Sequence, residues 1–321
     1  MAATISLVIA GMMLAVTTHV LNLWRRTQSA HLQAAAARQV FDLIERDLQA
    51  ALFRRSDSNC RLAVDVLDTA GQIANHGWLV GPGGMKPGGG GSLRLLPPPG
   101  PSGVTRLNEA RFGLSGGWLR VVTTNVESGG SMPTVVSWQL VRRPVTGEPI
   151  PGNPAPCRYS LYRSAVSAAE TFANGYDVTA AAYGSSSNTP SSAMSTAYRL
   201  PRNVTNPSHA NLIASHVVDF GCWFYVRNGA GGLNRIFPTG PTDVSHHASG
   251  NAGSDDTRYP DVIDVMIRVL SEDGAELIAA VERAQLNRPP TYATDAEWWW
   301  SLVEAHSAVF TRRIEIKGGA W

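Results

Sequence analysis

Residues 1–55 read MAATISLVIAGMMLAVTTHVLNLWRRTQSAHLQAAAARQVFDLIERDLQAALFRR, and the architecture turns on this stretch. Met1 to Leu23 contain no Asp, Glu, Lys or Arg. A bilayer core of about 30 Å needs ~20 helical residues, so the run is just long enough, although Thr17, Thr18, His19 and Asn22 make its far end polar. Trp24, Arg25 and Arg26 come next, the aromatic-then-cationic composition of a membrane–water boundary. A cleavable secretory signal would begin with a basic residue before the apolar run, and this one does not. A buried core helix is the other alternative. A membrane-inserted helix that runs on into a folded domain fits best.

The continuation is two-faced. Residues 27–55 contain neither Pro nor Gly, and Ala34 to Ala37 are strong helix formers. Val40, Phe41, Ile44, Leu48, Ala51 and Leu52 recur at steps of three and four, which places them on one side. Asp42, Glu45, Arg46, Asp47 and Gln49 are assigned to the other, with Arg38–Asp42 and Asp42–Arg46 as i,i+4 pairs. Turn residues Ser56 to Asn59 end the helix. About fifty-five residues at 1.5 Å each make a rod of roughly 80 Å, longer than a compact domain uses whole. The predicted division is a transmembrane part, 1–24; an amphipathic part of the same helix, 25–55; and a β-rich domain, 56–321.

Composition narrows the remainder. The 321 residues are 44% hydrophobic and 16% charged, as in a folded protein. Twenty-seven Lys and Arg against 25 Asp and Glu leave no basic footprint for nucleic acid. The 31 glycines and 20 prolines exceed the usual combined ~12% and call for many turns. Cys60, Cys157 and Cys222 lie too far apart in sequence for a zinc motif; one pair could bridge, or all three could be small buried hydrophobes.

Past the helix the pattern is short strands between Gly/Pro-rich turns: 61–67, 118–126, 134–143, 157–163, 217–227, 262–270 and 309–317. Residues 81–103 and 175–206 read as long polar loops, and 274–283 and 294–306 as short helices. The glycines of 81–103 have no Lys-Ser/Thr and no helix after them, so they do not form a phosphate loop. The predicted class is α+β: one antiparallel sheet of four to seven strands, one face covered by the amphipathic half of the long helix.

No constellation for catalysis emerges, and no catalytic residue, cofactor or metal ligand is assigned. His246–His247 fall in a Gly/Ser/Asp-rich stretch read as a solvated loop. Asp255, Asp256 and Asp261 could be pictured around calcium but read better as an acidic turn. Gly113 to Gly117 is one residue short of a nucleophile elbow, and Glu272–Asp273 sit in a turn after a strand. Trp298, Trp299 and Trp300 are consecutive on a helix and cannot share one face, which predicts at least one exposed or at a partner contact.

The rod resembles the N-terminal helix of the type IV pilin and type II secretion pseudopilin superfamily. Asn211 to Val226 and Tyr259 to Leu270 with its Glu-Asp-Gly turn are similar to strands of J-type minor pseudopilins, as is Phe310 to Ile316. With Leu23 to Thr27 and Phe41 to Leu48, the nearest likeness is to the pseudopilin-like "cassette protein C" set of Verrucomicrobia. Residues 80–205 contribute little to it. The resemblance implies a pilin-like, non-catalytic structural subunit in the bacterial inner membrane. Its β domain would lie in the periplasm and its partners would be other pilin or pseudopilin subunits. Leu7, Ile9, Met13, Val20, Trp24, Phe41, Ile44, Leu48 and Leu52 would form the assembly and packing helix. The family's Gly-Phe-Thr-Leu-hydrophobic-Glu start is absent. Met1 to Ala10 are similar to the segment just after that Glu in the family, so a leader for the prepilin peptidase is expected immediately upstream. A basic leader would also offset Arg25 and Arg26, which otherwise oppose the positive-inside tendency. The rival reading is a membrane-tethered module binding a glycan or protein through the Gly-rich loops and the tryptophans.

Overall fold

The computed structural model describes residues 2–53, 59–66, 117–124, 132–144, 157–180, 209–229, 231–240, 243, 245–250, 255–283, 285–293 and 295–316. The predicted loop 81–103 lies outside them. One continuous helix, α1 (Ala2–Gln49), spans 48 residues, about 72 Å at 1.5 Å per residue. It stops six residues short of Arg55 because the next backbone groups pair elsewhere. Leu52 N–H donates to Val122 O (2.9 Å), Thr124 N–H donates to Ala50 O (3.0 Å), and Ala51 bridges Thr123. Sheet hydrogen bonds thus replace the next helical turn.

Ten strands come after it among the described residues: β1 (Leu62–Val66), β2 (Gly117–Thr123), β3 (Thr134–Pro144), β4 (Cys157–Ala165), β5 (Leu212–Ser215), β6 (Val217–Arg227), β7 (Leu233–Phe237), β8 (Ser245–Ala248), β9 (Val262–Leu270) and β10 (Ser307–Glu315). Three short helices join them: α2 (Ala168–Ala173), α3 (Glu272–Glu282) and α4 (Asp295–Ala305). The alternating and continuous apolar runs read as strands all form strands, within a few residues of the expected bounds.

The sequence predicts one sheet; the chain forms two. The six-stranded sheet has the order β5-β4-β3-β2-β1-β8 and the four-stranded sheet β10-β9-β6-β7, with every pairing antiparallel. The chain crosses between the sheets at β5–β6, β7–β8 and β8–β9, and the first crossing takes a single residue. His216 alone separates β5, an edge strand of the first sheet, from β6 in the second, and its φ of 64° turns the corner. A non-glycine residue in this left-handed region is uncommon. Burial and the nearby Arg158 lower the His216 pKa, which favours the neutral ring at neutral pH. The inner faces (Leu119, Val121, Val136 and Trp138 from one sheet; Phe220, Phe224, Val265 and Ile267 from the other) share one core with the rear of α1.

Two stretches predicted as solvated loops are structured. His246–His247 lie in β8, paired with β1. His246 is buried, edge-on to Phe224 at 5.2 Å, with Nε2 2.9 Å from Arg258 O. In the predicted loop 175–206, residues 175–180 pack on the outer face of the six-stranded sheet. Val178 is fully buried there and its N–H donates to Cys60 O (2.8 Å). The polar composition of both stretches hid these contacts, which come from residues distant in sequence. Residues 181–206 lie outside the described ones.

The start of α3 is tightly fitted. Ser271 Oγ caps Gly274 N–H at 3.0 Å, and Ser271 N–H donates to His306 O at 2.9 Å. A Cβ on Gly274 would lie 2.6 Å from the His306 Cβ and 3.1 Å from its carbonyl oxygen. Gly274→Ala is therefore expected to lower stability by about 1–3 kcal/mol, although alanine is the better helix former. Urea unfolding of the variant checks this, and an unchanged or raised midpoint would contradict the close fit.

Candidate assembly surface

The helix α1 is held at one end and bare at the other. From Ala37 onward Val40, Phe41, Ile44 and Leu48 are buried against both sheets, as the helical spacing predicts, and Leu52 just past the helix is half-buried. Gln33 Nε2 donates to Val269 O at 3.0 Å. Arg312 of β10 reaches back to Asp42 (2.6 Å) and Glu45 (3.1 Å), and its guanidinium lies 5.3 Å from the centre of the Phe41 ring. Asp42 thus pairs with a cation from the last strand, which no local charge pattern in the helix could reveal.

Asp47 corrects the helical-wheel reading. Assigned to the solvent side, it is fully buried in the docked face. Arg163 of β4 holds both its oxygens, Nε to Oδ2 at 2.7 Å and Nη2 to Oδ1 at 2.8 Å, and Trp138 Nε1 adds a third bond at 2.9 Å. A buried carboxylate needs this much compensation. The group fixes the rotation of α1 on the six-stranded sheet.

Every residue from Ile9 to Gln28 is exposed. Leu7 is 75% exposed, Met13 67% and Trp24 61%, with Ile9, Met12, Leu14, Val16, Val20, Leu21 and Leu23 also more than half exposed. So large a contiguous apolar surface on a single helix makes it the candidate site. Its threonines bond back to carbonyls of the same helix. Thr17 Oγ1 donates to Met13 O (2.8 Å), Thr18 Oγ1 to Leu14 O (2.7 Å) and Thr27 Oγ1 to Leu23 O (3.0 Å). Each hydroxyl proton is satisfied within the helix, which reduces the cost of taking it out of water. Among the described residues, no helix is long and apolar enough to cross a membrane.

The three tryptophans are not a surface feature. Trp298, Trp299 and Trp300 are all buried, Trp299 completely. The expectation that one must face outward fails because α4 is enclosed on several sides, by α3, by β10 and by the end of β4. Trp299 Nε1 donates to Glu282 Oε1 at 3.0 Å, and Tyr159 Oη donates to the same buried oxygen. Trp299 also packs edge-on against Tyr159 and Trp300, at 5.6 and 4.8 Å between ring centres.

The acidic residues imagined around calcium are differently engaged. Asp261 Oδ2 accepts from Arg227 N–H at 2.7 Å, and Asp255 lies 3.9 Å from Arg258; the Asp256 side chain is outside the described residues. Among the described residues no group of three ligating side chains comes together. His247 Nε2 lies 2.9 Å from Asp65 Oδ1, an arrangement seen in general bases, but Asp65 is also bound by the buried Arg120. That guanidinium rests 3.7 Å from the centre of the Trp118 ring, so the cluster is a packed ion pair beneath one half-exposed histidine. Cys60 and Cys222 are buried free thiols. Burial pushes Cys60 up to about 12 and raises Cys222 as well, which leaves too little thiolate for nucleophilic work. The Cys157 side chain lies outside the described residues.

No protein-family model matches the chain, and comparison with curated proteins and with solved structures finds no match.

Proposed function

We propose that this chain is a non-catalytic, minor-pseudopilin-like structural subunit of a type II secretion or type IV pilus-like filament. In this reading the front of α1 is held in the bacterial inner membrane before assembly and among the helices of other subunits afterwards. The β-rich domain lies on the periplasmic side and sets which neighbours fit. The observation that carries the reading is the division of one unbroken helix. Its rear is locked into the core by Ile44, Leu48 and the Asp47–Arg163 pair, while its front presents apolar side chains with nothing packed on them.

The physical logic is exchange. In lipid, or between neighbouring helices, the exposed Leu, Ile, Met and Val side chains stay out of water, each burial contributing roughly 1.5–3 kcal/mol. Passing from one environment to the other therefore loses little, and packing with small and polar residues sets the preferred neighbours. The rival reading, a tethered binding module, loses its aromatic platform because Trp298, Trp299 and Trp300 belong to the core.

The test is site-specific photo-crosslinking in the native host, with the probe at Met13 or Val20 and a control at the exposed Arg38. Adducts to N-terminal helices of other pilin-like subunits are expected from the first two positions. Adducts to lipid alone would leave an anchor and sink the filament; no adducts would sink both.

A further inference from the structure

Where α1 enters the domain, an open groove of about 320 Å³ runs beside the helix, a volume usual for small-ligand sites. Its helix wall carries Arg25, Gln28, Ser29 and Leu32. Its domain wall carries the His216 corner and the first turn of α3, Glu272 and Asp273. Arg25, Glu272 and Asp273 are exposed, and among the described residues no ion pair joins any of them to a partner. Burial and the nearby Arg158 favour the neutral His216 ring, so it does not supply the missing cation. The groove therefore holds unmatched positive charge on one wall and unmatched negative charge on the other. That pattern complements a zwitterion, whose two charges are tied together.

The helix gives the site a direction. Leu7, Leu14 and Leu21 follow one another at steps of seven, Arg25 comes four later and Leu32 seven after that. All five lie close to one face of α1. The three leucines before Arg25 are 75%, 70% and 51% exposed. Arg25 is the first charged side chain of the sequence, and Ser29, one turn further on, is the first residue after Ile9 to be partly covered. One face thus presents, in order, an apolar track, a cation and a groove with carboxylates on its far wall.

We propose that this groove binds the headgroup of a single ethanolamine phospholipid, with the acyl chains lying along Leu21 and Leu14. Arg25, with the Gln28 amide and the Ser29 hydroxyl, holds the phosphate. Glu272 and Asp273 accept hydrogen bonds from the primary ammonium, which has three N–H donors to give. Leu32, 59% exposed, packs on the short carbon link between the two charges. The carboxylates set the selectivity. A glycerol headgroup is anionic overall and brings them no cation. A choline headgroup has no N–H donor, and no Trp, Tyr or Phe among the described residues lines the groove to take its cation on a ring face. The inference rests on the membrane half of the proposed function and not on the filament.

The test is native mass spectrometry of the full chain released from detergent micelles. Ethanolamine, choline and glycerol phospholipids with the same acyl chains are offered in equal amounts. Ethanolamine-lipid adducts are expected to exceed each of the others about fivefold, the size of one charge-assisted contact. Glu272→Gln with Asp273→Asn should bring the three lipids to within about twofold of one another. Glu276→Gln, exposed on the same helix but outside the groove, should keep the preference. Arg25→Gln should lower all three adducts, since all three lipids carry the phosphate. Equal adducts on the unaltered chain, a preference that survives the double substitution or is lost in Glu276→Gln, or an unaffected Arg25→Gln would each overturn the proposal. Free phosphoethanolamine at the same concentration should not displace the lipid; displacement would make this a site for a soluble zwitterion and overturn the lipid assignment. Flotation with choline-phospholipid vesicles reports separately on the membrane. A chain that floats without headgroup preference loses this proposal alone, and one that does not float loses the membrane reading as well.

Discussion

Asp47→Ala is expected to destabilise the protein by about 3–5 kcal/mol. The carboxylate is fully buried, and it is the acceptor for Arg163 Nε and Nη2 and for Trp138 Nε1. Removing it leaves a guanidinium, itself almost wholly buried, without its counter-charge, and strands an indole N–H in the core. Leaving such groups unmatched outweighs the few atoms removed. Thermal or urea unfolding checks the size, which corresponds to a fall in melting temperature of roughly 5–8 °C for a chain of this length. The double variant Asp47→Leu with Arg163→Met should recover most of the loss, because an apolar pair of similar volume needs no compensation. A double variant as unstable as the single one would show that α1 is held there by something other than matched charge.

Trp299→Ala is expected to cost a similar 3–5 kcal/mol, roughly the range for truncating a buried aromatic. The side chain is fully buried, edge-on to Tyr159 and Trp300, with its N–H on Glu282. Truncation opens a cavity between α3, α4 and β4, and it removes one of the donors that satisfy the buried Glu282 carboxyl. Trp299→Phe keeps most of the volume and should cost about 1–2 kcal/mol, the share of the lost hydrogen bond. A urea midpoint nearly unchanged in the alanine variant would mean that this aromatic row is not core and would revive a surface role for it.

The parts of this protein legible in the chain were those carried by local periodicity. The 3.6-residue spacing of Val40, Phe41, Ile44 and Leu48 named the docked face of α1, and alternation or β-branched runs placed β6, β9 and β10. What misled was polarity read without partners. Asp47 and His246 were assigned to solvent because their type is usually exposed, yet Arg163 and Phe224 lie 116 and 22 residues from them and supply burial with compensation. The tryptophans misled in the opposite way: a helix wheel shows which way each side chain points, but not how many sides of the helix are covered.

The rod was settled by the order of amino acids alone, since an uncharged run leading into an apolar stripe without Pro or Gly forms one helix from local interactions. Most strands were settled there for the same reason. The division of those strands into two sheets was decided only in three dimensions, where a left-handed residue, His216, makes the first of the crossings between them. So was the burial of Asp47 against Arg163 in the docked face of α1. Both depend on long-range contacts, whose energies arise only after distant segments have met.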